Sequence, residues 1–401
     1  MKNRSFKWLC VLLGAIMLFA CFAFGGCGDT EETPAGDGGG ITTPGDGSGS
    51  GSGGGGTGEQ PGGDEEPGGD EEPDPGEQPG GEPEKKYDYK NVLEDPNFDN
   101  GFGVMGQRDG NQATYGFFRP EGYESGKAYW KVAQWYSGEF YKKNPLDKQE
   151  DYPAAYDLAK APRTVKGTYV SYTDESKTFG FDNVNWKLYL ELNASKEYTA
   201  PRRSTDPWPH LLVQYYINEG LGVQVSKYDS IQVNFDYYIN KIEKKMTDAE
   251  YNSSMHAAQC VWYLVLKNCN ENSSDNGKYI WFGMTLYDNR NTALSTNDSY
   301  FIDMGSDDKL ATGAPIYGVA GKKTHKKLPA VGEDISISVD LIDMMKSAFD
   351  QAVAKGYMKN SKWKDMYITD GNIGWELPGT FDCAFTINKF EINAGKLIEE
   401  A

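Results

Sequence analysis

The stretch SIQVNFDYYIN, at residues 230–240, decides the fold class of this chain. Apolar and aromatic side chains alternate in it with polar ones. Those that share one face are Ile231, Val233, Phe235, Tyr237 and Ile239. A period of two over this length is typical of a β-strand that is buried on one side. The stretch therefore predicts a strand whose odd-numbered residues face a core.

The same period recurs in other parts of residues 85–401. Segments rich in β-branched and aromatic residues predict further strands. They are NWKLYLELN (185–193), CVWYLVLK (260–267), KYIWFGMTLYD (278–288), DISISVD (334–340) and CAFTINKFEI (383–392). No Pro/Gly-rich break interrupts this region. We therefore expect one all-β domain over residues 85–401, a β-sandwich or jelly roll with long loops.

Two segments favour helices instead. Apolar residues repeat at helical spacing over about 341–355, where Asp340 is the expected N-cap and Gly356 stands where a C-terminal cap belongs. A second, short helix is expected within KKMTDAEYNSSMHAA (244–258). The predicted domain is therefore a β-sandwich with little helix.

The N-terminus resembles a secretory signal of a bacterial lipoprotein. MKNRSFKW carries three positive charges and precedes an apolar run that ends in FGGC, with small residues directly before Cys27. We expect residues 1–26 to be a signal peptide and Cys27 to be lipidated. Cys21 is a second candidate for the lipid, and an uncleaved anchor is the competing interpretation. On either interpretation the protein lies outside the cytoplasm, at the cell surface, and meets the membrane only through its anchor.

Residues 28–84 form a low-complexity linker that contains 16 acidic residues and no Lys or Arg. Such a segment has too little apolar surface to offset the entropy of ordering, so we expect a disordered spacer. The linker contributes −16 to the formal net charge of −19 and the signal +3, which leaves −6 on residues 85–401. Without a basic stripe, the sequence argues against a nucleic-acid partner.

Three cysteines remain in the folded region, Cys260, Cys269 and Cys383. The first two bracket a predicted strand, which separates them by roughly 30 Å, far beyond the ~7 Å limit for a disulfide. The pairing of Cys260 with Cys383 stays open, although three free thiols are favoured. No Cys/His spacing of a zinc site occurs.

No motif of a catalytic class is present in residues 85–401, which lack GxSxG, HExxH and P-loop patterns. A glycosidase needs two carboxylates across a sugar ring, and Asp288 and Glu376 are the candidate pair. A polysaccharide lyase would use a Tyr or His base and an Arg or Gln that neutralises the uronate. The residues that supply these types are His210, Arg203, Gln214 and Tyr215.

Aromatic residues give a stronger indication. Trp208 lies between two prolines in DPWPHLL (206–212), two residues before His210. A ring held in a rigid loop suits stacking on the apolar face of a sugar. We therefore expect Trp208 to be exposed and His210 to orient a hydroxyl group. Further candidates for ligand contact are Trp130, Trp135, Trp375 and Glu376, whereas Trp186 and Trp262 are predicted core residues.

Asp288 ends the predicted strand 278–288, and Arg290 follows it. They stand two residues apart and thus on the same face. A salt bridge at the strand end and a contact to sugar hydroxyls explain this pair equally well, because a planar guanidinium beside a carboxylate suits both. Both residues are therefore candidate ligand contacts.

The two ends of the domain carry a family resemblance. NVLEDPNFDNG (91–101) resembles the opening strand, and FTINKFEI (385–392) the closing strand, of jelly-roll carbohydrate-binding modules of the galactose-binding-like group. The resemblance covers only these terminal segments. It implies that the last strand lies beside the first, and that Asp99 and Asn388 help to hold a structural calcium. Asn388 stands where the family has an acid.

These observations predict a surface lipoprotein that binds a poly- or oligosaccharide without chemistry of its own and without a cofactor. The competing prediction is a polysaccharide lyase or glycoside hydrolase on the same kind of fold. A third is a surface protein that binds another protein.

Overall fold

Most of the folded region forms β-strands, whose side chains alternate between the two faces of a sheet. The computed structural model describes residues 85–107, 113–123, 125–136, 154–204, 206–304 and 312–399. The signal, the linker and the lipidation candidates Cys21 and Cys27 lie outside the described residues. Within these ranges, none of the helices combines the length and the apolar character that a membrane crossing requires.

Eighteen strands and two α-helices are formed by the described residues. The strands are β1 (Tyr87–Asn91), β2 (Phe102–Met105), β3 (Thr114–Phe118), β4 (Trp130–Ala133), β5 (Arg163–Lys166), β6 (Tyr169–Thr173), β7 (Lys177–Asp182), β8 (Lys187–Asn193), β9 (His210–Tyr216), β10 (Val223–Gln224), β11 (Ser230–Lys244), β12 (Gln259–Asn268), β13 (Tyr279–Asp288), β14 (Ser299–Ile302), β15 (Pro315–Gly318), β16 (Asp334–Asp340), β17 (Met366–Glu376) and β18 (Phe381–Leu397). The helices are α1 (Gly321–Thr324) and α2 (Ile342–Ala354).

The strands form two sheets. In the described part of the chain, the eight-stranded sheet has the order β16–β11–β18–β8–β7–β6–β5, with β1 paired to β18. The ten-stranded sheet has the order β14–β15–β13–β12–β17–β9–β4–β2–β3, with β10 paired to β17. The prediction of an all-β sandwich is confirmed.

The core lies between the two sheets. The odd-numbered residues of β11 that the sequence assigns to a core, such as Phe235 and Tyr237, are buried there. The ten-stranded sheet contributes Leu211, Val213 and Tyr215 of β9 from the opposite side. Since successive side chains of a strand alternate between faces, the even-numbered residues of β9 lie on the outer face of that sheet.

Trp130 and Trp375 belong to this core, so the expectation that they are exposed sugar contacts is wrong. Both occupy inward positions of their strands, β4 and β17, and both are fully buried. The indole Nε1–H of Trp130 donates to the backbone oxygen of Asp95 at 2.9 Å, and that of Trp375 donates to the oxygen of Leu190 at 3.1 Å. Trp375 follows a glycine and precedes a proline-containing segment, which suggested a turn, but it lies within a long strand.

The predicted helix over about 341–355 is confirmed as α2. The N-cap is Leu341, one residue after the predicted Asp340. The Asp340 carboxylate still accepts a hydrogen bond from the backbone N–H of Ile342 at 3.1 Å, and Gly356 takes the left-handed conformation at φ 83°. The second helix expected within residues 244–258 is wrong. That segment forms turns, in which the Glu250 carboxylate accepts from both the backbone N–H and the hydroxyl of Thr247. Polar side chains that bond to nearby backbone compete with helix in this way.

The strands at the two ends pair as the family resemblance implies, with Asn91 of β1 opposite Asn393 of β18. The pairing of the terminal strands does not by itself create the calcium site that the resemblance implies. The Asp99 carboxylate accepts a hydrogen bond from the Asn183 amide at 2.9 Å, and Asn388 is exposed on β18. Over the described ranges no group of three or more His, Cys, Asp or Glu side chains could hold a metal ion. A calcium site at Asp99 and Asn388 is therefore not supported.

Cys260 is the second residue of β12 and Cys269 directly follows its last residue, which confirms the strand that separates them. Cys260 and Cys383 are buried, Cys269 is partly buried, and all three are free thiols in the structure. Burial raises the pKa of the Cys260 and Cys383 thiols.

Candidate functional site on the outer face of the ten-stranded sheet

Strands β9 and β17 carry a row of mainly polar residues on the outer face of the ten-stranded sheet. In their antiparallel register His210 lies opposite Glu376, and Gln214 lies opposite Asn372. Outward side chains recur along each strand about every 7 Å. We call this row the outer ladder; its members are His210, Leu212, Gln214, Tyr216, Asp370, Asn372, Gly374 and Glu376.

Three aromatic rings surround His210 at one end of the outer ladder. The ring centroids of Trp135, Tyr136 and Trp208 lie 6.1, 5.7 and 6.0 Å from the centroid of the imidazole. The Trp208 ring is stacked on the imidazole, with 24° between the two planes. We call these four residues the His210 cluster. Three apolar residues pack with its rings: Met105, Ala133 and Leu212.

Trp208 is only 3% exposed, so the expectation of a solvent-accessible stacking ring is wrong. The Arg202 guanidinium carbon lies 4.8 Å from the centroid of the Trp208 ring, and its Nε–H donates to the backbone oxygen of Asp206 at 2.9 Å. Prolines on both sides restrict the loop backbone but do not decide whether the ring faces solvent. Trp135 is likewise buried, at 1% exposed. The structure nevertheless brings together Trp208, Trp135, His210 and Glu376, which are separate candidates in the sequence.

The buried indole N–H groups divide by the face of the sheet on which they lie. On the inner face, the Nε1–H groups of Trp130, Trp262 and Trp375 all donate hydrogen bonds, that of Trp262 to the Tyr215 hydroxyl at 2.8 Å. In the His210 cluster, the Nε1–H groups of Trp135 and Trp208 have no hydrogen-bond partner among the described residues. A buried polar group without a partner costs about 1–3 kcal/mol.

His210 has a similar feature. Neither of its ring nitrogens makes a hydrogen bond of good geometry with a described residue, although the Trp208 backbone lies close enough to affect its pKa. Burial lowers the pKa of His210 to about 3, and the nearby Trp208 backbone opposes this shift only in part. The imidazole is therefore neutral at pH 7. Its Nε2 lies 4.0 Å from Oε2 of Glu376, too far for a hydrogen bond. A neutral imidazole offers one donor and one acceptor, which suits a hydroxyl group.

The outer ladder continues with amide and carboxyl groups. The side-chain oxygens of Gln214 and Asn372 are buried and, in the described part of the chain, accept no hydrogen bond. The pairing of β12 with β17 shifts register beside Asp370, as in a β-bulge. Burial raises the pKa of Asp370 to about 6, and the Thr369 hydroxyl, which donates to this carboxylate at 2.7 Å, opposes the shift.

Glu376 also shares a cross-strand row with Asp288. Gln259 of β12 lies opposite both residues, Glu376 on one side and Asp288 on the other. The Gln259 amide donates to the Asp288 carboxylate at 3.1 Å, and Arg290 Nε–H donates to the same carboxylate at 2.8 Å. The strand-end salt bridge between Asp288 and Arg290 is thus formed.

The residue set of a lyase is not assembled. Arg203 is a surface residue whose guanidinium donates to the Asp206 carboxylate at 2.9 Å. Tyr215 points into the core, where its hydroxyl accepts from Trp262, while His210 and Gln214 lie on the other face of β9. These four candidates for a lyase therefore do not meet in one site. Tyr215 faces away from His210 and Gln214 because successive residues of one strand face opposite sides, and Arg203 lies outside β9.

Tyr136, Asn372 and Asp370 belong to the site but are not among the residues selected from the sequence. Tyr136 directly follows the selected Trp135, and its ring is the one nearest to His210 in the cluster. In β17 the signal was present as the alternation of Asp370, Asn372, Gly374 and Glu376, but two glycines and the bulge obscured the strand.

Comparisons with known proteins give no family. No family model matches the chain, and no curated protein matches it. Among solved structures, the chain is similar to a native family 12 xyloglucanase from Bacillus licheniformis, at 12% identity and a TM-score of 0.34, over 58% of this chain and 96% of that one.

Two further structures are similar at the same level. An endoglucanase from Rhodothermus marinus is 11% identical with a TM-score of 0.32, over 60% of this chain and 97% of that one. A family 11 xylanase from Neocallimastix patriciarum is 9% identical with a TM-score of 0.32, over 58% of this chain and 94% of that one. At these identities and TM-scores, function has to be inferred from this chain's own residues.

Proposed function

We propose that this protein is a surface-anchored lipoprotein that binds a carbohydrate on the outer face of its ten-stranded sheet, at the His210 cluster and along the outer ladder. The anchor is the lipidated Cys27, and residues 28–84 act as the spacer between membrane and domain. The observation that carries the proposal is the concentration of buried polar atoms without hydrogen-bond partners among the described residues at Trp135, Trp208, His210, Gln214 and Asn372, on one face of the sheet. Further such atoms lie elsewhere in the described residues, the indole Nε1–H of Trp281 among them.

The chemistry of these atoms matches a sugar. Two indole N–H donors, a neutral imidazole and two amide oxygens require a ligand that both donates and accepts hydrogen bonds. Hydroxyl groups do both. Sugars also present apolar C–H faces, which suit the rings of Trp135, Tyr136 and Trp208. No charged ligand group is needed, because the imidazole is neutral at pH 7.

Burial of the cluster sets a condition on binding. Trp208 and His210 are at most 3% exposed, so a ligand reaches them only when the groups above them move. That local opening costs free energy. The apparent Kd equals the Kd of the open form divided by the fraction of molecules that are open.

Replacing Trp208 with phenylalanine is expected to weaken carbohydrate binding about fivefold or more, because the ring is kept while the indole donor is lost, and one hydrogen bond is worth about 1 kcal/mol. The full-length protein is first tested on a glycan array that includes plant, fungal and bacterial polysaccharides. Calorimetric titration with the best array ligand then gives Kd for the wild type and for Trp208→Phe and Trp135→Phe.

Trp262→Phe is the matched control, because it removes an indole donor that already has a partner, on the inner face. This variant should lower the thermal midpoint and leave Kd unchanged. Trp208→Phe should raise Kd without lowering the thermal midpoint. A fall in the midpoint without any change in Kd for Trp208→Phe would show that the His210 cluster serves stability and not binding.

A further inference from the structure

We propose that Asp288 and Glu376 form the carboxylate pair of an inverting glycoside hydrolase. This inference rests on the proposed carbohydrate site and adds a reaction to it. The two side chains share one row across β13, β12 and β17, on the same face as the His210 cluster.

The spacing of the pair favours an inverting reaction. Asp288 and Glu376 are two strands apart, so their Cα atoms are separated by about 9.5 Å. The carboxyl groups themselves are about 6.5–9.5 Å apart in inverting glycosidases and about 5–5.5 Å apart in retaining ones. Because the Asp288 and Glu376 side chains leave the sheet on the same face, a Cα separation of this size suits the wider, inverting range. The residues directly opposite Glu376 on the two neighbouring strands are Gln259 and His210, so neither position holds a second carboxylate.

The surroundings assign a role to each carboxylate. Asp288 lines a cavity of about 60 Å³, together with polar residues that include Thr285, Asn291 and Ser295. That volume holds more than one water molecule, and its polar lining supplies partners for them. Glu376 lies at the other end of the row, beside the His210 cluster where the sugar is held. Asp288 therefore lies beside the cavity that would supply the water, and Glu376 lies beside the proposed sugar site.

The reaction consumes one water. The Asp288 carboxylate takes a proton from a water molecule in the cavity. At the same time, the oxygen of that water bonds to the anomeric carbon. The bond from that carbon to the glycosidic oxygen breaks, and the leaving oxygen receives a proton from the Glu376 carboxyl group. Attack opposite to the leaving group inverts the configuration at the anomeric carbon.

The test incubates the full-length protein with soluble β-1,4-glucan, β-1,3-glucan, xylan, galactomannan and α-1,4-glucan, and measures new reducing ends. Hydrolysis of at least one polysaccharide is expected, and early NMR spectra should show the product anomer opposite to that of the substrate bond. Asp288→Asn and Glu376→Gln should each lower the rate 100-fold or more, the usual worth of a general acid or base. Glu391→Gln, on the other sheet, should retain full activity.

A leaving-group comparison separates the catalytic role from a structural one. A glycoside with an activated aryl leaving group needs no proton on departure, so it should restore the rate of Glu376→Gln and not that of Asp288→Asn. If Glu376→Gln lowers the rates of hydrolysis of the polysaccharide and of the aryl glycoside equally, its effect is structural, and the assignment of Glu376 as the acid is overturned. A product with retained configuration would overturn the inverting pair. Binding without any hydrolysis would overturn this inference and leave the proposed binding function intact, whereas neither binding nor hydrolysis would overturn both.

Discussion

Replacing Trp375 with alanine is expected to lower the free energy of unfolding by about 3–5 kcal/mol, the usual cost of deleting a buried tryptophan. Its ring is fully buried between the sheets, 5.4 Å from the ring of Phe385 and nearly perpendicular to it. The substitution also leaves the backbone oxygen of Leu190 without its indole donor. Urea unfolding followed by circular dichroism measures the change.

Tyr123→Ala is the control for this prediction, because Tyr123 is 46% exposed. Exposed substitutions change stability by about 0.5 kcal/mol or less. If Trp375→Ala were as mild as Tyr123→Ala and weakened sugar binding instead, Trp375 would be a ligand contact, as its sequence context suggested, and β17 would be placed wrongly.

The free energy of unfolding is expected to fall steeply as the pH drops from 6.5 towards 3, and His210 is expected to cause much of that fall. In the folded protein burial holds the pKa of His210 at about 3, whereas the ordinary value is 6.5. Between these values the unfolded chain binds a proton that the folded chain does not, so each unit of falling pH costs up to about 1.4 kcal/mol. Above pH 6.5 the contribution is constant.

Urea titrations at pH 7, 6, 5 and 4 measure this slope. His210→Gln should flatten the profile, while Trp208→Phe, a non-titrating change in the same cluster, should keep it. His325, whose pKa burial lowers to about 4, adds a smaller term of the same sign. Asp370 acts in the opposite direction, because its raised pKa of about 6 costs stability as the pH rises from about 4 to 6. An unchanged slope in His210→Gln would mean that the imidazole is solvated and the cluster is open.

The fold class could be predicted because the alternation is local. Strands β8, β11 and β16 each carry a period-two pattern of apolar residues in their own sequence. That pattern alone is enough to predict a strand with one buried face. The helix α2 was equally predictable from its spacing and its flanking Asp340 and Gly356. Strand β17 escaped prediction because Gly371, Gly374 and the bulge at Asp370 interrupt the apolar pattern.

The candidate site was predictable only in part. Single residues could be selected for their type, and His210, Trp208, Trp135 and Glu376 do meet. Their meeting depends on strand order, which places β9 between β4 and β17 although the three strands are far apart in the chain. Exposure was beyond sequence reasoning as well. Trp208 is buried because its ring packs against Arg202 and against the other residues of the His210 cluster. No local sequence pattern predicts those contacts.

The most direct test of the proposed sugar site follows the indole N–H signals of the tryptophans by ¹⁵N NMR while the best array glycan is titrated into the full-length protein. Single Trp→Phe variants assign each signal. The account predicts that the Trp135 and Trp208 signals shift as the site fills, since their free donors gain partners, while those of Trp130, Trp262 and Trp375 stay in place. Saturable binding that leaves the Trp135 and Trp208 signals unmoved would contradict it.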